Sequence, residues 1–115
     1  MRALVVEDEP AISRILVRKL SRMGFECSAT ESILESKKIL GAGKVDILFL
    51  DYVLVDGRSR ELAVEGYLKE IGKIYLMSAF MDDLEKKDFE GLNVTFLKKP
   101  FKDLNEVLED VKSLL

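Results

Sequence analysis

Four short apolar runs in this 115-residue chain each stop abruptly at residues that can bind a charged ligand. Ala3-Leu4-Val5-Val6 leads into Glu7-Asp8, and Ile47-Leu48-Phe49-Leu50 into Asp51. Ile74-Tyr75-Leu76-Met77 leads into Ser78, and Val94-Thr95-Phe96-Leu97 into Lys98-Lys99-Pro100. Continuous apolar runs of this length read as strands buried on both faces, the pattern of a parallel sheet covered by helices. In an open parallel sheet the carboxyl ends of the strands share one edge, where ligands bind. An acid pair, a lone carboxylate, a hydroxyl and an ammonium would converge there. That set can hold a hard cation and a phosphoryl group.

Between these runs the apolar residues return with helical spacing, which predicts an α/β domain. A strand is expected over 2–6 and a helix over 10–23, with Pro10 in its first turn and Gly24 at its end. The strand over 25–29 is more polar and is placed at an edge. A helix over 31–41 presents Ile33, Leu34, Ile39 and Leu40, and a strand follows over 45–50. A helix over 58–71 carries Leu62, Ala63, Tyr67, Leu68 and Ile71; strands are expected over 73–77 and 94–97. Between those two strands lies a helix over 81–90, capped by Asp82, with Leu84 and Phe89 as its core contacts. The last helix, over 101–115, has Phe101, Leu104, Val107, Leu108, Val111, Leu114 and Leu115 in register. This length suits one stand-alone domain, and no linker, repeat or second domain is expected.

Charge and composition narrow the function. A net charge of −3 gives no electrostatic case for nucleic acid or an anionic membrane. The absence of a leader and of an apolar run near 18 residues leads to the expectation of a soluble, cytoplasmic protein. Cys27 is the only cysteine and is expected as a buried, reduced thiol. There is no histidine at all. That removes His-ligated zinc and every Ser-His or Cys-His nucleophile pair, and any phosphohistidine must belong to a partner.

Each site residue also has a plainer reading. Glu7-Asp8 could simply cap the helix that begins at Pro10. Ser78 alone reads as a turn serine, and Lys99 could serve only as a salt-bridge partner of Asp51. Asp51 resists such a reading, because an unpaired charge beside a buried sheet is costly. Three acids on neighbouring strand ends repel one another, and a divalent cation such as Mg2+ would relieve that. Lys98 should point away from Lys99, and Pro100 favours a sharp turn, cis or trans, that aims Lys99 inward.

Taken together, Glu7-Asp8, Asp51, Ser78-Ala79 and Phe96-Leu97-Lys98-Lys99-Pro100-Phe101 resemble the response-regulator receiver domain of two-component signalling, of the chemotaxis-regulator type. The resemblance runs along the whole chain in order. It implies a flavodoxin-like, doubly wound five-stranded parallel sheet, order 2-1-3-4-5, with helices on both faces. It also implies that Asp51 is a phosphoacceptor, with Ser78 and Lys99 binding phosphoryl oxygens and Phe96 turning as the switch aromatic alongside Ser78. Glu7, Asp8, Asp51 and the backbone carbonyl of Val53 would hold Mg2+. The implied partners are a sensor histidine kinase or a histidine phosphotransfer protein, docking near Ile12, Ile15, Pro100 and Phe101, and a downstream protein target. Phosphorylation would reshape the surface of the fourth helix, fifth strand and fifth helix. The chain would be a monomer or a weak phosphorylation-dependent dimer, a switch rather than an enzyme.

Two departures stand out. Between Asp51 and Asp56-Gly57 the family has about two more residues and a proline, so the geometry around Val53 is open. Val53 and Phe80, each two residues past a site residue, are bulky and apolar, which implies slow loss of the phosphoryl group. The competing reading is a receiver-like module that binds its target constitutively. A hydrolase using Asp51 as nucleophile lacks a second acid two residues further on, and a flavin role lacks a phosphate loop after the first strand.

Overall fold

The computed structural model describes residues 1–80 and 86–115. Five parallel strands form one sheet: β1 (Arg2–Val6), β2 (Glu26–Thr30), β3 (Ile47–Asp51), β6 (Lys73–Ser78) and β7 (Val94–Lys98). Their spatial order is β2-β1-β3-β6-β7, the expected 2-1-3-4-5 arrangement. The helices α1 (Pro10–Arg22), α2 (Ile33–Ala42), α3 (Arg60–Val64) and α4 (Leu104–Lys112) complete the crossovers and the outer layers. Between β3 and α3 lies a small antiparallel hairpin, β4 (Val53–Leu54) with β5 (Gly57–Arg58), which the sequence reading did not foresee.

Side chains on successive strand residues point to opposite faces, and the two cores follow from that. Leu4, Val6, Leu48, Leu50, Ile74 and Leu76 pack with Ile33 of α2 and Leu62 of α3 on one face. Ala3, Val5, Ile47, Phe49, Tyr75 and Met77 pack on the other with Leu16 and Leu20 of α1 and Leu108 and Val111 of α4. Every residue of β3 is buried, as the central strand of such a sheet must be. β2 lies at an edge as expected, and this leaves Cys27 half-buried rather than buried. The Tyr75 ring stacks on Phe49 with centroids 4.7 Å apart, and its hydroxyl donates to Asp110 of α4. Burial and the Asp110 carboxylate together raise the phenol pKa.

Several boundaries differ from the reading for local reasons. The helix predicted over 58–71 is only Arg60–Val64, because Gly66 takes a left-handed conformation at φ 84°. The Tyr67 N–H then bonds the Leu62 carbonyl and the Gly66 N–H bonds that of Ala63, a closed Schellman end. Gly24 closes α1 in the same way, as anticipated. The last helix starts later than predicted because Asp103 caps it, accepting from the N–H groups of Asn105 and Glu106. It stops at Lys112, so Leu114 and Leu115 are exposed instead of packed. The helix predicted over 81–90 lies outside the described residues as far as 85, Asp82 and Leu84 included. Lys86–Phe89 is a 3₁₀ turn, with Phe89 buried.

The hairpin explains the short segment after Asp51. Leu54 pairs with Gly57, leaving Val55-Asp56 as a two-residue turn. From that turn the Asp56 carboxylate accepts hydrogen bonds from the backbone of Ile33 at 2.9 Å and Leu34 at 3.0 Å. Ser32 accepts from Glu35, so the three leading amides of α2 are all capped, two of them from another element. These bonds lower the Asp56 pKa. Asp56→Ala is expected to cost about 1–2 kcal/mol in urea unfolding at neutral pH. Because the folded pKa is depressed, this contribution is present above about pH 4, the range of an unperturbed aspartate, and fades as the carboxylate protonates. Equal stability of the two proteins at pH 7 would contradict it.

Candidate functional site

The strand register brings the predicted residues to one edge. Val6 of β1 lies beside Leu50 of β3, so Glu7 and Asp51 each stand one residue further along neighbouring strands. Asp51 in turn pairs with Met77 of β6, and Ser78 pairs with Lys98 of β7. The chain then turns at the cis Lys99–Pro100 peptide, with the Lys99 N–H bonded to the Ser78 carbonyl at 2.8 Å. Lys98 is exposed and Lys99 buried, as the alternation of strand side chains required.

The Lys99 ammonium is the centre of this cluster. It donates to both Glu7 oxygens at 3.1 Å, to Asp51 Oδ2 at 3.2 Å and to Glu9 Oε1 at 3.1 Å. The plainer reading of a bridge to Asp51 alone is therefore too small, and Glu9 is a contact the sequence reading missed. The only hint was its position next to the acid pair. Glu7 also accepts from the Glu9 backbone N–H at 3.1 Å, which orients its carboxylate. With two buried acids and one exposed acid around one ammonium, the site carries an excess of negative charge.

The titration behaviour follows from that imbalance. Burial and the neighbouring Glu7 charge push the Asp51 carboxyl up to about 7, against the pull of Lys99. Burial also raises Glu7, though Lys99 opposes it. Burial works against the Lys99 charge too, but Glu7, Asp51 and Glu9 outweigh it and raise its pKa. The ammonium is held in its charged form by the acids it faces.

A hard cation fits the acid cluster that Lys99 shares in part. Oxygens of Glu7, Asp8 and Asp51 all lie within 4.8 Å of one another, two of the residues buried and Asp8 half-buried. An all-oxygen donor set carrying several negative charges, open to water on the Asp8 side, is the kind that suits Mg2+. Val53 sits in the hairpin strand β4, with its side chain half exposed.

Other predicted residues are placed as follows. Ser78 is buried at the end of β6, where its hydroxyl donates to the Phe80 carbonyl at 3.2 Å and accepts from the Phe80 N–H at 3.1 Å. This is the local turn geometry of a serine, and it sits beside the acid cluster. Phe96 is half-buried on β7, edge-on to Phe89 with centroids 6.5 Å apart. Ile15 is exposed on α1 between Arg14 and Arg18, while Ile12 is half-buried and packs in part against the core. Pro100 is exposed and Phe101 half-buried at the head of a groove of about 650 Å³ between β7 and α4.

Solved structures similar to this one along its whole length are receiver domains of response regulators, so the chain has the receiver-domain fold. TrrA of Thermotoga maritima, a response regulator solved in complex with Mg2+-BeF, is 29% identical, with 99% of this chain and 98% of that one covered, at a TM-score of 0.79. A CheY-like receiver domain from Methylobacillus flagellatus is 24% identical over 100% and 98% of the two chains, at a TM-score of 0.80. A two-component response regulator from Clostridium difficile reaches a TM-score of 0.83 at 20% identity, covering 98% and 93%. No protein-family model and no curated protein matches the sequence.

The raised Asp51 pKa has a consequence for stability without metal. An unfolded aspartate ionises near pH 3.8 and the folded one near 7, so folding loses stability as pH climbs between those values and stays lowered above them. Asp51→Asn removes that penalty. In metal-free urea titrations the variant should match the wild type near pH 4 and exceed it above pH 7, by about 2–4 kcal/mol. A difference independent of pH, or a loss of stability at pH 8, would contradict the assignment.

Proposed function

We propose that this protein is a phosphorylation-controlled signalling switch, a response regulator in which Asp51 accepts a phosphoryl group from a phosphohistidine on a partner protein. The supporting observation is the convergence of Glu7, Asp8, Asp51 and Lys99 at one sheet edge, with Lys99 within 3.2 Å of Asp51. The chain carries no histidine, so the donor imidazole belongs to the sensor kinase or phosphotransfer protein.

Asp51 is the nucleophile. One of its carboxylate oxygens attacks phosphorus in line; the O–P bond forms as the N–P bond breaks, and that electron pair leaves with the partner's imidazole. Mg2+ held by Glu7, Asp8, Asp51 and the Val53 carbonyl would neutralise the oxygens of the moving group. Lys99 supplies the second positive charge from the opposite rim. The acyl phosphate adds about one to two negative charges beside β6, which draws the Ser78 hydroxyl away from Phe80. Phe96 then turns into the space released, and the groove lined by Phe96, Leu97, Pro100, Phe101 and Val107 changes shape. This surface, continued by the segment before β7, is the output that a target protein reads. The exposed Ile15, in the second turn of α1, belongs to the donor's docking side.

Incubation with Mg2+ and acetyl phosphate should add one phosphate-sized increment in intact mass. Asp51→Ala and an EDTA-treated sample should add none. Absence of the increment in the wild type, with no spectral response to beryllofluoride, would instead point to a constitutive binding module.

Val53 and Phe80 place apolar side chains, exposed at 50% and 71%, on the segments that follow Asp51 and Ser78. They hinder the approach of a hydrolytic water, so phosphate is lost slowly. After removal of the phosphodonor the modified mass should decay over minutes or longer. A half-life of seconds would exclude this role for the two side chains.

A further inference from the structure

Lys99 is shared among three carboxylates, and one of them stands outside the cluster that suits a cation. Glu9 differs from the other two in its surroundings. Its side chain is 60% exposed, against 0% for Glu7 and 8% for Asp51. An exposed carboxylate is hydrated and does not need a lysine. Glu9 is moreover the N-cap residue of α1, where the first amides of a helix attract negative charge, yet its side chain makes no capping bond. It reaches across to Lys99 instead. It therefore meets the ammonium from the solvent side, the side from which a phosphoryl group has to arrive, because Glu7 and Asp51 are enclosed by protein.

We propose that Glu9 is a positioning residue that latches Lys99 in the unphosphorylated protein, occupying the place on the ammonium that a phosphoryl oxygen takes. The latch sets the phosphodonor concentration at which the site fills. It rests on the phosphoacceptor reading of Asp51 and adds to it a competitor built into the chain. Binding exchanges one oxyanion on Lys99 for another, and Glu9 returns to water at little cost because it was already mostly hydrated. Ion pairs with one exposed partner are weak, so the effect of the latch is a modest factor rather than an on-off control.

Glu9→Gln keeps the shape of the side chain and removes its charge. Glu70→Gln, an exposed acid in the turn before β6 at the opposite end of the strands, matches the change in net charge. Both are compared with the wild type in Mg2+-containing titrations of acetyl phosphate, read by intact mass, and of beryllofluoride, read by NMR. Half-saturating concentrations of both ligands should fall about two- to fivefold in Glu9→Gln and stay at the wild-type value in Glu70→Gln. In the wild type, the Glu9 side-chain carboxyl signal should shift as beryllofluoride binds. Half-saturation that is equal in all three proteins, or higher in Glu9→Gln, overturns the latch while leaving Asp51 as acceptor. A wild type that takes up neither ligand overturns the reading beneath it.

Discussion

Everything at the sheet edge depends on one ammonium among carboxylates. Glu7 and Asp51 are nearly sealed from water, and two buried acids side by side could not both stay ionised without a nearby cation. Lys99 meets that need in the metal-free protein, contacting both from a position 8% exposed. It does so incompletely: burial and the Glu7 charge still push the Asp51 carboxyl up to about 7. A site with too little positive charge is one that a divalent cation enters with a gain in free energy. The same imbalance that crowds negative charge here makes the cluster receptive to a cation.

The fold delivers these groups without long-range adjustment. Parallel strands all end at one edge, and period-two alternation decides which side chain enters the core and which meets its neighbours. Asp51 closes the most deeply buried strand, so its position is fixed by packing on both faces. Lys99 follows the edge strand β7, in which residues 94–97 are half-buried and Lys98 is exposed. Asp51 therefore ends the most enclosed strand of the sheet, and its counter-charge comes from a less enclosed part.

How far the site could be read from sequence follows from the range of each interaction. Strand ends, the acid pair, Asp51, Ser78 and Lys99 were legible because each is a local event, an apolar run terminated by a polar type. The pairing of Lys99 with Glu7, 92 positions away, was not, since the reading linked the lysine only to Asp51. Glu9 was missed because a glutamate before Pro10 looks like an ordinary helix-start acid, and only the folded sheet edge, which brings Lys99 across to the residues after β1, shows where it reaches. The hairpin β4–β5 was invisible for another reason. Strands of two residues carry no periodicity, and the shortened stretch after Asp51 read simply as missing loop. Gly66 was passed over inside an apolar pattern that continued through Tyr67, Leu68 and Ile71. Those residues do pack against the core, but from turns beyond the helix rather than from within it.

The hairpin also changes what the shortened segment means. Losing residues after Asp51 would ordinarily loosen the backbone beside the acid cluster. Here the segment folds back on itself, and Asp56 anchors it to the first turn of α2 through two backbone amides. Its other side is tied by the Ser59 N–H bonded to the Tyr52 carbonyl at 2.8 Å and by Leu54 in the core. The Asp-Gly pair is thus a structural anchor between two crossovers, and Val53 is held between that anchor and Asp51. The hairpin side of the sheet edge is thus tied down by hydrogen bonds to α2 and by core packing, while β7, beyond β6, is covered only in part.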